Sequence, residues 1–144
     1  MTRQEMYDLM NSHPVFHLAT MEGDQPRVRA LLLYKADESG IVFHSTITKD
    51  IYRQVSQNPK VELCFNDFNK NIQLRVCGVL EIVDDNKLKD EIANHPSRGF
   101  LKSWRDRAIQ DFYNSFVVFR LSKWEVSSSS SCNSIPRNLY LESK

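Results

Sequence analysis

The sequence predicts a mainly-β fold, an antiparallel barrel flanked by short helices. Three observations carry this reading. Runs of strand length with alternating or β-branched apolar residues follow one another with only turn residues between them. Helical periodicity is confined to short stretches. Strands and helices do not alternate regularly, as a doubly wound parallel sheet would require.

In order along the chain, Met6, Leu9 and Met10 share a helical face, with Thr2 as N-cap and Pro14 as the stop. Val15 to Thr20 reads as a strand, and Glu22-Gly23-Asp24-Gln25 supplies a turn. Arg27 to Lys35 and Ile41 to Ser45 are the next strands, separated by Asp37-Glu38-Ser39-Gly40. A short helix follows, with Thr48 as N-cap, Asp50 in its first turn, Ile51 and Val55 on one face, and Asn58-Pro59 at its end. Val61 to Phe65 and Ile72 to Val83 read as strands joined by the loop 67–71. A helix beginning at Asp84 or Asp85 carries Leu88 and Ile92 and breaks at His95-Pro96. One further helical stretch, from about Ser97 to Tyr113, precedes a strand over Phe116 to Val126. The serines from 127 to 131 read as a polar edge or turn, and residues 138–141 as a last short strand. No internal repeat or domain boundary interrupts this order, so residues 1–144 are expected to form one domain.

Composition narrows the function. A net charge of +1 gives no global field toward nucleic acid or an anionic membrane, so any anion site must be local. The opening MTRQEMYDLM lacks the apolar centre of a signal peptide, and no run approaches the roughly 20 apolar residues of a membrane span. Cys64, Cys77 and Cys132 are odd in number and widely spaced, which points to reduced thiols and a cytoplasmic location. His13, His17, His44 and His95 show no metal-ligand spacing, and no metal is expected.

Two local features suit an anion. Alternation puts Arg27 and Arg29 on one face of their strand, as a multidentate clamp for phosphate or as a solvated face with Asp and Glu partners. One strand later, Ser45-Thr46-Ile47-Thr48-Lys49 places three hydroxyls and a lysine at a strand end that runs into a helix N-terminus, where backbone N–H groups are free. Gln73 and Arg75 share a strand face, and Gln73 has the donor and acceptor that suit a heterocycle edge. Trp124, near a strand end, is read either as core packing or as a cover for a bound ring.

These pieces, in this order, resemble the pyridoxamine 5′-phosphate oxidase-like split-barrel proteins, including the short general-stress and nitroimidazole-reductase-like branches. The resemblance rests on Gly-Asp-Gln-Pro-Arg-Val-Arg at 23–29, Phe43 to Lys49, Asn58 to Phe65, and Gln73 to Gly78 with Glu81 to Asp85. It implies an FMN-binding split barrel of antiparallel Greek-key type and a homodimer with FMN at the subunit interface. Residue by residue, it implies Arg29, Ser45, Thr46, Thr48 and Lys49 on the FMN phosphate, and the backbone of Ala30, Leu31 and Leu32 under the isoalloxazine ring. Gln73 would reach the flavin from the partner subunit, with Trp124 as a further candidate. Tyr34 stands where the true oxidases place a phosphate-binding lysine, and their arginine-rich C-terminal segment has no counterpart beyond Arg137. The expected activity is therefore that of a flavin-dependent oxidoreductase on a small molecule, with a nicotinamide donor possible, rather than pyridoxamine phosphate oxidation. The alternatives are a non-catalytic flavin-binding or stress-related protein, and a split barrel that uses heme or a deazaflavin. No residue stands out as a catalytic acid or base.

Overall fold

The computed structural model describes residues 1–127. The serine run beyond Ser127 and the strand expected at 138–141 lie outside the described residues. Helix α1 (Arg3–Ser12) opens with a reciprocal cap: Thr2 Oγ1 accepts from the Glu5 amide at 3.1 Å, and the Glu5 carboxylate accepts from the Thr2 amide at 2.8 Å. The hairpin of β1 (Val15–Glu22) and β2 (Gln25–Asp37) turns at Gly23, whose φ of +61° lies in the left-handed region that glycine enters without strain. Strand β3 (Gly40–Thr46) pairs with β2, and β4 (Lys60–Asp67) returns to lie on the other side of β1. The resulting order β3-β2-β1-β4 is a Greek key.

The sheet is completed by β5 (Ile72–Val79), β6 (Glu81–Val83), β7 (Phe116–Leu121) and β8 (Trp124–Val126), in the order β6-β7-β3-β2-β1-β4-β5-β8. Every pairing is antiparallel. Two strands expected to be continuous are each divided. The stretch 72–83 breaks at Leu80, whose amide donates to the Pro59 carbonyl at 2.8 Å, and 116–126 breaks at Ser122-Lys123. Both breaks have one cause. At each the chain leaves one half of the sheet for the other: β5 lies beside β4 but β6 beside β7, and β7 lies beside β3 but β8 beside β5.

Gly78 sits at this crossing, where a Cβ would lie 2.5 Å from the Lys123 carbonyl oxygen. Gly78→Ala is therefore expected to destabilise the fold by about 1–2 kcal/mol through overpacking against backbone. A lowered urea or thermal midpoint checks this, and an unchanged one would show that the crossing relaxes freely.

The inner face of the sheet packs Phe16, Leu18, Phe43, Leu63, Phe65, Val76 and Phe119 against α1 and α2 (Asp50–Gln57). Stacked Phe16–Phe65 and Phe43–Phe119 pairs lie within this core. The outward face of β3 and β7 is covered by a second core, where Val42, Phe116 and Val118 meet Leu88, Ile92, Leu101 and Phe112. The latter come from α3 (Asn86–Asn94), α4 (Gly99–Arg107) and α5 (Ile109–Ser115). Asp85 caps α3. The helix expected over 97–113 is instead a 3₁₀ turn (Pro96–Arg98) and two helices broken at Ala108, which leaves helical dihedrals (φ −146°, ψ 69°). The kink lets Trp104 stack edge-on against Phe112 and donate its indole N–H to Asp111 at 2.7 Å.

Arg98, 5% exposed, ties this helical layer to the sheet. It donates to the Leu33 carbonyl at 2.9 Å, to Ser97 Oγ at 2.8 Å and, through Nε, to His44 Nε2 at 3.2 Å. The bonding role assigned to His44 is thus that of a neutral acceptor.

Cys64 is free, but Cys77 is disulfide-bonded, so the expectation of reduced thiols does not hold for it. Spacing along the chain does not reveal which sulfurs a fold brings together. No helix among the described residues is long and apolar enough to cross a membrane.

Candidate functional site

Strand β2 is paired asymmetrically. Residues 25–32 pair with β1, from Glu22↔Gln25 to Val15↔Leu32, whereas pairing with β3 begins only at Leu33↔Phe43, next to a bulge between Leu33 and Lys35. Among the described residues no strand covers the other edge of 25–32, so backbone N–H and C=O groups there are available to a ligand.

This edge borders a cavity of about 670 Å³ lined by Arg27, Val28, Arg29, Ala30 and Leu31 on one side and by Ser45, Lys49, Asp50, Ile51, Arg53 and Gln54 on the other, with Glu22 at its rim. The fold thus brings together Arg29, Ala30, Leu31, Ser45 and Lys49. Thr46 and Thr48 adjoin this wall, their hydroxyls 2.9 Å apart. Leu32 lies just beyond it with 43% of its surface exposed.

Thr48 is not the N-cap of α2. The Lys49 amide bonds back to the Thr46 carbonyl at 3.1 Å, which uses Thr48 inside a turn, and Lys49 takes the cap position without a side-chain capping bond. The first-turn amides of α2 therefore have no side-chain acceptor from the cap residue. The turn is anchored from outside by the Ile47 amide, which donates to the Ser115 carbonyl at 2.9 Å.

The charges in the cavity are sorted. Glu22 accepts from Arg53 at 2.6 Å and from Arg27 at 3.1 Å, and these bonds with one from Gln54 hold its carboxyl down at about 2. Arg27 thus takes the ion-paired role that its position also allowed. Arg29 does not: among the described residues no carboxylate lies within ion-pair distance of it. Its guanidinium donates to Thr20 Oγ1 at 2.6 Å, to Gln54 Oε1 and, more weakly, to the Leu18 carbonyl at 3.5 Å. Burial pulls its pKa below the usual arginine value, partly countered by the field of Asp50. A partly desolvated cation without a bonded counter-charge is what an entering anion would meet.

Two expected site residues lie elsewhere in the single chain. Gln73 is on the outward face of β5, donating to Asn66 Oδ1 at 3.2 Å. Trp124 is buried under α1, with the Arg3 guanidinium 3.7 Å from its ring centroid and the edge of Tyr7 against it, so within one chain it takes the packing role. Tyr34 also turns away from the cavity and donates to Glu91 at 2.7 Å, which with burial raises its phenol to about 12. Thr20, Gln54 and Arg53 were not expected from the sequence. The available signal was a polar residue at a core position: Gln54 stands between Ile51 and Val55 on the apolar face of α2, and Thr20 continues the inward series Phe16, Leu18.

The comparisons with known proteins agree with this architecture. A NimC/NimA family protein from Clostridium acetobutylicum superposes with a TM-score of 0.68 at 27% identity over 88% of each chain. A protein related to general stress protein 26, also from C. acetobutylicum, shares the fold with a TM-score of 0.63 at 19% identity, over 88% of this chain and 94% of that one. A pyridoxine/pyridoxamine 5′-phosphate oxidase from Rhodopseudomonas palustris (strain TIE-1) is 31% identical over 101 residues, 69% of this chain and 48% of that protein. The chain spans about half the length of the curated relatives it matches. The family model for pyridoxamine 5′-phosphate oxidase matches residues 2–125, from the first turn of α1 to the last strand of the sheet, and the chain belongs to that family.

Proposed function

We propose that the chain binds FMN in the cavity between β2 and α2, as a homodimer, and serves as a flavin-dependent oxidoreductase on a small molecule. The observation that carries this is Arg29, a cavity arginine that among the described residues has no bonded carboxylate, sharing the cavity with Ser45 and Lys49 beside a strand edge that no described strand covers. Arg29, Lys49 and the hydroxyls of Ser45, Thr46 and Thr48 would hold the phosphate. Along Ala30, Leu31 and Leu32, the strand edge that faces away from β1 would meet the polar edge of the ring. A FAD-binding protein from Mesorhizobium loti shares the fold, at 17% identity and a TM-score of 0.60.

The outward face of the β1–β2 hairpin supports self-association. Val15, Val28 and Leu32 are 60%, 67% and 43% exposed on one side of it, around His17 and Ala30. A second copy seated there would cover the patch. Gln73, on the outward face of β5, would then be free to reach the partner's flavin.

When bound, the flavin supplies the redox chemistry, and the protein's part is to bind, orient and exclude water. Glu22, locked as a carboxylate by two arginines and Gln54, cannot carry a proton near neutrality. That favours a site that positions a cofactor over one that supplies its own acid. The absorption spectrum of freshly purified protein, followed by release and identification of the chromophore, tests the reading. Bleaching by NAD(P)H with turnover of an acceptor marks an oxidoreductase, while a yellow protein that does not turn over marks a non-catalytic flavin-binding one. A preparation that carries no flavin absorbance after FMN is added and unbound FMN is removed would return the chain to a heme or deazaflavin role.

Lys49→Ala is expected to weaken FMN by about 1 kcal/mol, less than loss of Arg29, because an exposed ammonium acts as a screened point charge. Titrations at low and high salt check this. The wild type should lose affinity with salt more steeply than the variant, and identical curves would remove Lys49 from the site.

A further inference from the structure

Arg29 has five N–H donors, and three are taken by Thr20, Gln54 and Leu18. All three acceptors are uncharged oxygens. Thr20 and Gln54 are each 2% exposed, and they also bond to one another, Thr20 Oγ1 donating to Gln54 Oε1 at 2.6 Å. The triangle joins β1, β2 and α2, with its Thr20 and Gln54 corners buried and Arg29 half-buried at the cavity. Among the described residues the carboxylate bonded nearest to it is set one bond further out: Gln54 Nε2 donates to Glu22 at 3.3 Å, Glu22 is in turn bound to Arg27 and Arg53, and Asp50 across the cavity reaches Arg29 through its field alone. This pattern fixes the amide orientation. The reverse would set an NH₂ group against the guanidinium and an oxygen against a carboxylate. Two donors of Arg29, Nε–H and the second N–H of Nη2, are left without a protein acceptor among the described residues, and the residue lines the cavity.

We propose that Gln54, with Thr20, is a positioning and specificity residue: it fixes the Arg29 guanidinium without neutralising it, so that the site selects a phosphorylated ligand over its uncharged counterpart. A carboxylate at position 54 would orient Arg29 at least as firmly, through a charge-assisted bond. It would also supply the counter-charge that a phosphate must otherwise bring. An apolar residue there would spare the charge but leave the guanidinium and the Thr20 hydroxyl without their buried acceptor. An amide oxygen meets both needs. The proposal rests on the flavin reading for its ligand, but its physical content concerns Arg29 and any phosphate.

The test compares wild type, Gln54→Glu and Gln54→Leu, each freed of bound flavin, for FMN and riboflavin affinity, with thermal midpoints and the midpoint shift produced by inorganic phosphate. Gln54→Glu is expected to fold with a lowered thermal midpoint, since its second carboxylate oxygen takes the place of Nε2 against Glu22, and to keep its riboflavin affinity within about twofold. It should bind FMN at least tenfold more weakly, with a flatter salt dependence. Gln54→Leu should lose FMN selectivity as well, together with some stability. FMN and riboflavin weakened in parallel, or unchanged FMN affinity in Gln54→Glu, would overturn the proposal while leaving the flavin site standing. If wild type binds neither flavin, the flavin reading fails and phosphate decides. A phosphate-induced rise in midpoint that Gln54→Glu loses supports the cradle, whereas an equal rise in both, or none in wild type, overturns it.

Discussion

Arg29→Ala is expected to weaken FMN binding by about 3 kcal/mol, roughly 100-fold in Kd, and to leave riboflavin binding close to wild type. Charge-assisted hydrogen bonds contribute about 1.5–3 kcal/mol each, and two donors remain for a phosphate after the bonds to Thr20, Gln54 and Leu18. The neighbouring arginines cannot stand in, because Arg27 and Arg53 already share Glu22. The fold should survive the change. Thr20 and Gln54 keep their mutual bond of 2.6 Å, so the truncation does not strip either of every partner. Arg29→Lys should recover only part of the loss, since an ammonium restores charge without the planar fork. Paired fluorescence titrations with FMN and riboflavin separate the cases. Equal weakening of both ligands would mean that the variant damages the cavity, and unchanged affinity for both would place the phosphate elsewhere.

The sequence announced the site more clearly on its strands than on its helix. Alternation along Arg27 to Lys35 and the cluster Ser45 to Lys49 follow from local chemistry, and the fold brings Arg29, Ser45 and Lys49 to one cavity. The edge that opens between them was not legible, since it depends on β3 pairing with β2 only from Leu33 onward. The same holds for Gln54 and Thr20: both lie at apolar positions of their elements, and each finds its partner only when α2 packs on β1. The divided strands at Leu80 and Ser122-Lys123 failed for another reason. Each run is uniformly strand-like, and only closure of the two halves on each other decides where it must bend. Trp124 shows the limit at a single residue. An aromatic at a strand end fits a ring cover or a core equally well, and the arrival of Arg3 and Tyr7 from α1 decides for the core.

His44 makes the second large prediction, a loss of stability on mild acidification. Burial and the Arg98 guanidinium lower its pKa from 6.5 to about 4, so the folded chain keeps this imidazole neutral where the unfolded chain protonates it. Between those values the unfolded state holds more protons, and stability falls as pH falls, reaching roughly 3 kcal/mol in all. The geometry gives the same sign. Arg98 Nε donates to His44 Nε2, a bond that exists only while that nitrogen is unprotonated, and protonation would set two cations side by side. Phe116, tilted at 43° against the ring with centroids 5.1 Å apart, brings no counter-charge. The depressed carboxylates act lower on the scale. Glu22, Asp37 and Asp67 contribute stability above their ordinary values of 4.5 and 3.8, which is lost only as pH falls through their folded values. Urea denaturation between about pH 7 and about pH 5 therefore lies above the range of these carboxylates, with an expected loss of about 2 kcal/mol from His44, and comparison with a His44 variant separates it from the Asp67-paired His13. His44→Gln keeps an acceptor for Arg98 but cannot titrate, so its stability should be lower at neutral pH and nearly flat across that interval. A wild-type profile as flat as the variant's would mean that His44 charges within the fold, and that Arg98 yields to it.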